Sequence, residues 1–168
     1  MLRKKFAVVV AAAACFALTS CSTISDALSN SSNKADRDPE GQVTQAGDIN
    51  AFSVKVGDCI NSADLGTMVD KIPAIPCDEP HDSEAYLAFN VTMSSYDDDA
   101  ISEEAETRCG EAFTEYVGPN AESYDPPLDY TALTPSASGW SQYHDREIVC
   151  LVFAETQTLV GSVKGVAP

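Results

Sequence analysis

The stretch Pro76-Cys77-Asp78-Glu79-Pro80-His81-Asp82-Ser83-Glu84 gathers the chain's densest set of reactive side chains: a cysteine, four carboxylates and one of only two histidines. A zinc site would combine His81 and His144 with a carboxylate around an open position, but those histidines stand 63 residues apart. Serine hydrolases of the nucleophile-elbow type carry Gly-x-Ser-x-Gly, which is absent. A Cys–His nucleophile needs a free thiol, and the cysteine count argues against one. Glycan cleavage needs two carboxylates about 5–9.5 Å apart, for which Glu84 with Glu147 or Asp145 are the candidates. Asp97-Asp98-Asp99 lacks the Asp-x-Asp-x-Asp-Gly order of a calcium loop and reads as a solvated helix N-terminus. The chain is therefore read as having no catalytic residue, no metal ligand and no cofactor. His81, Asp82, Glu84 and Trp140 are the candidate partner-binding residues. Trp140, Tyr143, Tyr124 and Tyr130 cluster in an irregular segment, where aromatics either pack a loop down or meet glycan or peptide.

The first twenty residues are an address. Arg3, Lys4 and Lys5 precede an apolar run of thirteen residues, Phe6 to Leu18, too short to span a bilayer as a helix. Leu18-Thr19-Ser20-Cys21 resembles a bacterial lipobox. That resemblance implies cleavage before Cys21, lipidation of its sulfur and a lipid-anchored protein on the extracytoplasmic face of the cell membrane. Loss of residues 1–20 removes three cations and no acid, taking the formal charge from −16 to −19. Such a chain is repelled by nucleic acid. Its expected partners are the membrane through the lipid, and an envelope protein or cell-wall polymer.

Four cysteines remain: Cys59, Cys77, Cys109 and Cys150. An even set in an exported domain reads as two disulfides, each contributing about 3–4 kcal/mol by chain-entropy bookkeeping. Residues 21–50 are small, polar and charged, and read as a lipidated N-terminus and flexible linker. A domain over 51–168 follows. Phe52–Val56 alternates as a half-buried strand, and 67–75 reads as a second strand held at a sheet edge by Pro73 and Pro76. Residues 84–91 form the most apolar strand of this first half, expected to be central and covered on both faces. A helix starts in 94–99, with Ser95 or Asp97 as cap, and stops at Gly118-Pro119. It carries Ile101, Ala105, Cys109, Ala112, Phe113 and Tyr116 on one face. Residues 120–139 read as irregular, 148–153 as a strong strand, and 159–163 as a weaker last strand after a turn at 155–157. Cys59 and Cys77 flank one excursion, and Cys109 on the buried helix face can staple to Cys150 in mid-strand. The expected pairs are Cys59–Cys77 and Cys109–Cys150.

Taken in order, Val56-Gly57-Asp58-Cys59, Pro76-Cys77-Asp78-Glu79-Pro80-His81-Asp82-Ser83-Glu84, the helical Cys109, and Trp140 leading to Asp145-Arg146-Glu147-Ile148-Val149-Cys150 resemble the septum formation domain of actinobacterial membrane proteins and lipoproteins. The likeness covers about residues 51–166. It implies an extracytoplasmic domain linked to cell division and carries no known enzymatic activity.

The expectation is an α+β fold, a small antiparallel sheet covered by one main helix and tied by two disulfides. Its expected function is a non-enzymatic envelope binding or scaffold module. The alternatives are a wall-acting hydrolase and a small-ligand or metal-binding lipoprotein.

Overall fold

The structure, a computed structural model, describes residues 34–63, 65, 69–154 and 156–168. The leader, Cys21 and residues 22–33 of the expected linker lie outside these residues, as do the first part of the expected 67–75 strand and Glu155 of the expected turn.

The architecture is α+β. Strands β1 (Asp36–Arg37) and β2 (Val43–Gln45) pair as a small ribbon. A six-stranded antiparallel sheet contains β3 (Gly47–Asn50), β4 (Cys59–Ile60), β5 (Lys71–Ile75), β6 (Ser83–Asn90), β7 (Leu128–Leu133) and β8 (Glu147–Ala154). Its order is β3-β5-β4-β6-β8-β7. One helix, α1 (Asp98–Val117), lies on one face.

Helix α1 begins where Asp97, in an extended conformation, accepts the Ala100 N–H at 3.1 Å. Its face of Ile101, Ala105 and Cys109 is buried against Tyr86, Phe89, Ile148, Cys150 and Val152. The helix ends at Gly118, whose φ of 110° favours glycine. Any Cβ there would also lie 1.9 Å from the Ala167 carbonyl oxygen.

A second core fills the opposite face of the sheet. Ile49, Ile60, Ile72, Ala74, Ala85, Val149 and Leu151 make it, with Ala35 and Val54 from outside the strands. The central strand β6 feeds both cores, and a bulge divides its residues. The β6–β8 register slips between Ala85 and Leu87, so Tyr86 and Leu87 both pack on the helix side while Ala85 and Ala88 go to the other. The disulfides are Cys59–Cys77 and Cys109–Cys150, the second bonding helix to sheet.

Several expectations are corrected. Residues 34–50 are not linker but part of the fold. Two of their apolar side chains, Ala35 and Ile49, are buried, and β3 pairs with β5. Arg37 donates two hydrogen bonds to the buried Asp58, at 2.5 and 2.7 Å. The partners supplied by the sheet, rather than local composition, order this segment.

Residues 51–53 form a tight turn instead of a strand, because Asn50 caps it by accepting the Phe52 N–H. Strand β5 is interior rather than at an edge. Pro73 is tolerated because its nitrogen faces β4 at Asn61, just past the end of that two-residue strand, where only the Pro73 carbonyl is used (3.0 Å).

The segment expected to be irregular contains β7, an outer strand. Its edge is blunted: Pro127 and Pro135 bracket it, and the Asp129 carboxylate takes the Tyr130 N–H at 2.8 Å. The expected last strand is a single bridge between His81 and Leu159. Gly161, at φ 84°, turns the chain out of an extended path immediately afterwards.

Candidate functional site

The reactive stretch around His81 holds the end of the chain in place. His81 exchanges backbone hydrogen bonds with Leu159 (3.1 and 2.7 Å), and Gly161 donates to the Cys77 carbonyl (2.6 Å). Glu84, 1% exposed, accepts from the Tyr116 and Ser162 hydroxyls on Oε1 (2.8 and 2.7 Å) and from the Val163 N–H on Oε2 (2.7 Å). Burial, then the hydrogen bond to Glu84, pushes the Tyr116 phenol up from its ordinary value. The tail continues to the helix end, where Gly165 and Ala167 donate to the Tyr116 and Val117 carbonyls (both 2.8 Å).

These contacts correct the expected partner-binding set. His81 is fully buried, with Nδ1 2.8 Å from the Glu79 carbonyl. That carbonyl can only accept, so Nδ1 carries the proton, and Nε2 has no hydrogen-bond partner among the described residues. Asp82 accepts from the Ser62 and Ala63 N–H groups (2.7 and 2.9 Å) and from two serine hydroxyls. Trp140 is buried between the Arg146 guanidinium, 3.4 Å above its ring, and Tyr96. None of His81, Glu84 and Trp140 presents a surface to a partner, because all three are buried inside the fold.

The carboxylates weighed for glycan cleavage do not converge. Glu84 pairs with Val152, whereas Glu147 pairs with Asn90 toward the other end of the same ladder. Six residues along β6 separate the two levels, roughly 20 Å at about 3.3 Å per residue. Among the described residues no three His, Cys, Asp or Glu side chains gather as a metal-ligand set. No helix among them is long and apolar enough to cross a membrane.

A different site opens on the helix-free side. The tight turn after β3 and the segment between β7 and β8 follow the two opposite edges of the sheet. Yet Phe52 on the first and Tyr143 on the second have ring centroids only 5.7 Å apart. The sheet therefore curls, by its accumulated twist, until its two ends nearly meet. The gap is a groove of about 520 Å³, within the usual range for ligand sites.

Its floor is apolar, with Ile72, Leu133 and Val149. Asp70, Asp145 and Glu147 supply its charge, and among the described residues no Lys, Arg or His lines it. Phe52 and Tyr143 are 49% and 66% exposed, and among the described residues only Val56 and Val160 are other large apolar side chains so open to solvent.

Local structure sets these groups. The turn Gly139–Tyr143 ends at His144 in the left-handed region (φ 56°). This reverses the chain so that Asp145 stands just before β8, with its Oδ1 accepting the Glu147 N–H at 3.1 Å. Burial, then the charge of Asp145, holds the Glu147 carboxyl above the usual range. None of the three carboxylates forms an ion pair among the described residues.

A second hollow, about 800 Å³, lies between the end of α1 and β7. Its one large polar aromatic, Tyr130, already donates to Glu106 at 2.8 Å, so that group is spent internally.

Tyr143, Asp145 and Glu147 drew notice as residue types in the sequence, but Phe52 and Asp70 did not. Only the curl of the sheet joins them, and no local signal encodes it. Comparison with known proteins found no matching family model, curated protein or solved structure.

Proposed function

We propose that this chain is a non-enzymatic binding module of the cell envelope. It is exported behind residues 1–20 and held on the extracytoplasmic face of the membrane by lipid on Cys21. Two disulfides in a small domain accord with an oxidising compartment. The charge pattern of the leader and the lipobox-like Leu18-Thr19-Ser20-Cys21 supply the address. The resemblance to septum formation domains directs the module to cell division, acting on an envelope protein or wall polymer.

The observation that carries the binding role is the groove. Two large aromatic rings stand open at its rim, above three carboxylates without ion-pair partners among the described residues. The test is the localisation of a fluorescently tagged full-length chain in dividing native cells. Enrichment at the division site that disperses in a Phe52→Ala/Tyr143→Ala variant supports the reading. Unchanged localisation of that variant overturns the groove's role.

A wall-polymer hydrolase is the second reading. The observation favouring it is Glu147, a carboxyl of raised pKa beside Asp145 in a cleft. Turnover of wall fragments that Glu147→Gln abolishes would establish it in place of the first.

A further inference from the structure

We propose that the groove takes a basic side chain, arginine in particular, presented by an extended segment of a partner protein. This rests on the binding-module reading above and names its ligand class.

The first ground is charge. Asp70 approaches the groove from the chain just before β5, and Asp145 and Glu147 from the chain entering β8; among the described residues no cation lines it. A positively charged group entering it meets carboxylates with no ion-pair partner among the described residues, two of them beside apolar walls where screening is weak. Binding a cation also relieves the repulsion between Asp145 and Glu147 that helps hold the Glu147 carboxyl up.

The second ground is the rim. Elsewhere the domain settles two of its own guanidinium groups on aromatic faces: Arg108 lies 3.5 Å from the centre of the Phe89 ring and Arg146 3.4 Å from that of Trp140. Phe52 and Tyr143 are the solvent-open aromatic pair, and no cation of the described chain covers either ring. A planar guanidinium can stack on Tyr143 while its N–H fork reaches carboxylate oxygen, a match that a compact ammonium makes less well.

The third ground is exclusion. A second copy of the same acidic chain would bring carboxylates toward carboxylates. The groove's volume of about 520 Å³ suits one or two side chains rather than a folded domain. The β7 edge beside it is blunted by Asp129, so specificity lies with side chains rather than with an added strand.

The experiment uses the purified full-length chain in detergent and two synthetic peptides, Ac-Gly-Ser-Arg-Ser-Arg-Gly-amide and the same peptide with both arginines replaced by citrulline. Citrulline keeps the size and planarity and removes the charge. Calorimetric titration should show the arginine peptide binding at least tenfold more tightly than the citrulline peptide. Tyr143→Ala and Glu147→Gln should each weaken it by about fivefold or more, with the far-ultraviolet spectrum and both disulfides unchanged. Equal affinity for the two peptides, or no binding of either at millimolar concentration, overturns the proposal. If that occurs while Phe52→Ala/Tyr143→Ala still disperses the protein from the division site, the binding-module reading stands and only the ligand class falls. If localisation is also unchanged, both fall.

Discussion

The Glu84 carboxylate and the Val163 N–H, 79 positions apart in the chain, meet at 2.7 Å in the interior. Through that bond, and those of Tyr116 and Ser162 to the same side chain, a buried acid on the central strand fastens the C-terminal tail over the sheet and the end of the helix. Glu84→Ala leaves three donors without their acceptor. Hydrogen bonds to a charged group contribute about 1.5–3 kcal/mol each, non-additively, so the loss is expected to be about 3–5 kcal/mol in urea unfolding. Adding Tyr116→Phe to Glu84→Ala should cost much less than Tyr116→Phe alone. Full additivity in that double-mutant cycle would show that the two groups do not act together.

Arg37 and Asp58 form the corresponding tie at the start of the fold, with Asp58 3% exposed. Arg37→Met removes the partner of a buried carboxylate, a change that typically costs about 3–5 kcal/mol. A chain beginning at Ala51 should be less stable still, since it also loses β3 and the burial of Ala35 and Ile49. Thermal unfolding of both variants checks this. A fully stable 51–168 fragment would return residues 34–50 to the status of a linker.

Glu147 has a folded-state pKa raised by burial and by Asp145. Between the unfolded and the raised folded value the native state binds more protons than the unfolded state, so stability falls as pH rises through that window. The groups bearing on it are Asp145 on its own segment and Asp70 across the groove, both acidic, while Arg146 turns away to the Trp140 ring. Glu147→Gln should flatten the acid-side slope of stability against pH. Binding of the arginine peptide should strengthen as pH rises over the same window. A slope unchanged in the variant would show that another carboxyl titrates there.

Among the described residues His81 makes one side-chain hydrogen bond, from Nδ1 to the Glu79 carbonyl. His81→Ala removes that bond and opens space in the interior, at a cost of about 2–4 kcal/mol. His81→Asn can place an amide N–H where Nδ1 was and should recover roughly 1 kcal/mol of it. Equal midpoints for the two variants in denaturant titration would show that the bond to Glu79 contributes nothing.

The long periodic segments were legible. Strands β6 and β8 and helix α1 announce themselves by apolar spacing, and both disulfides follow from where their cysteines sit on those elements. Short elements whose order is supplied by partners were not. Strand β3 offers one large apolar residue, Ile49, in polar company, and needs β5 to be a strand at all. The apolar alternation Leu159-Val160-Gly161-Ser162-Val163 suggested a strand, but the left-handed backbone at Gly161 breaks it after one bridge.

The candidate residues His81, Glu84 and Trp140 were recognisable as unusual. Their burial was not, because a carboxylate that serves a tail far along the chain has the same local sequence as one that serves a ligand. The groove is the extreme case: Phe52 and Tyr143 become neighbours only when the two ends of a six-stranded sheet approach each other.

The engagement of the basic residues has a kinetic consequence. Arg37 is bound to Asp58, Lys71 lies 3.8 Å from Asp48, Arg108 pairs with Glu104, and Arg108 and Arg146 cover aromatic rings. With few cations left at large, the remaining acids act together as an attractive field for anything positively charged, over a screening length of about 8 Å at physiological salt. Encounter with such a partner is accelerated in dilute salt and slows as ionic strength rises. The lifetime of the complex, set by close contacts at Phe52, Tyr143 and Glu147, changes far less.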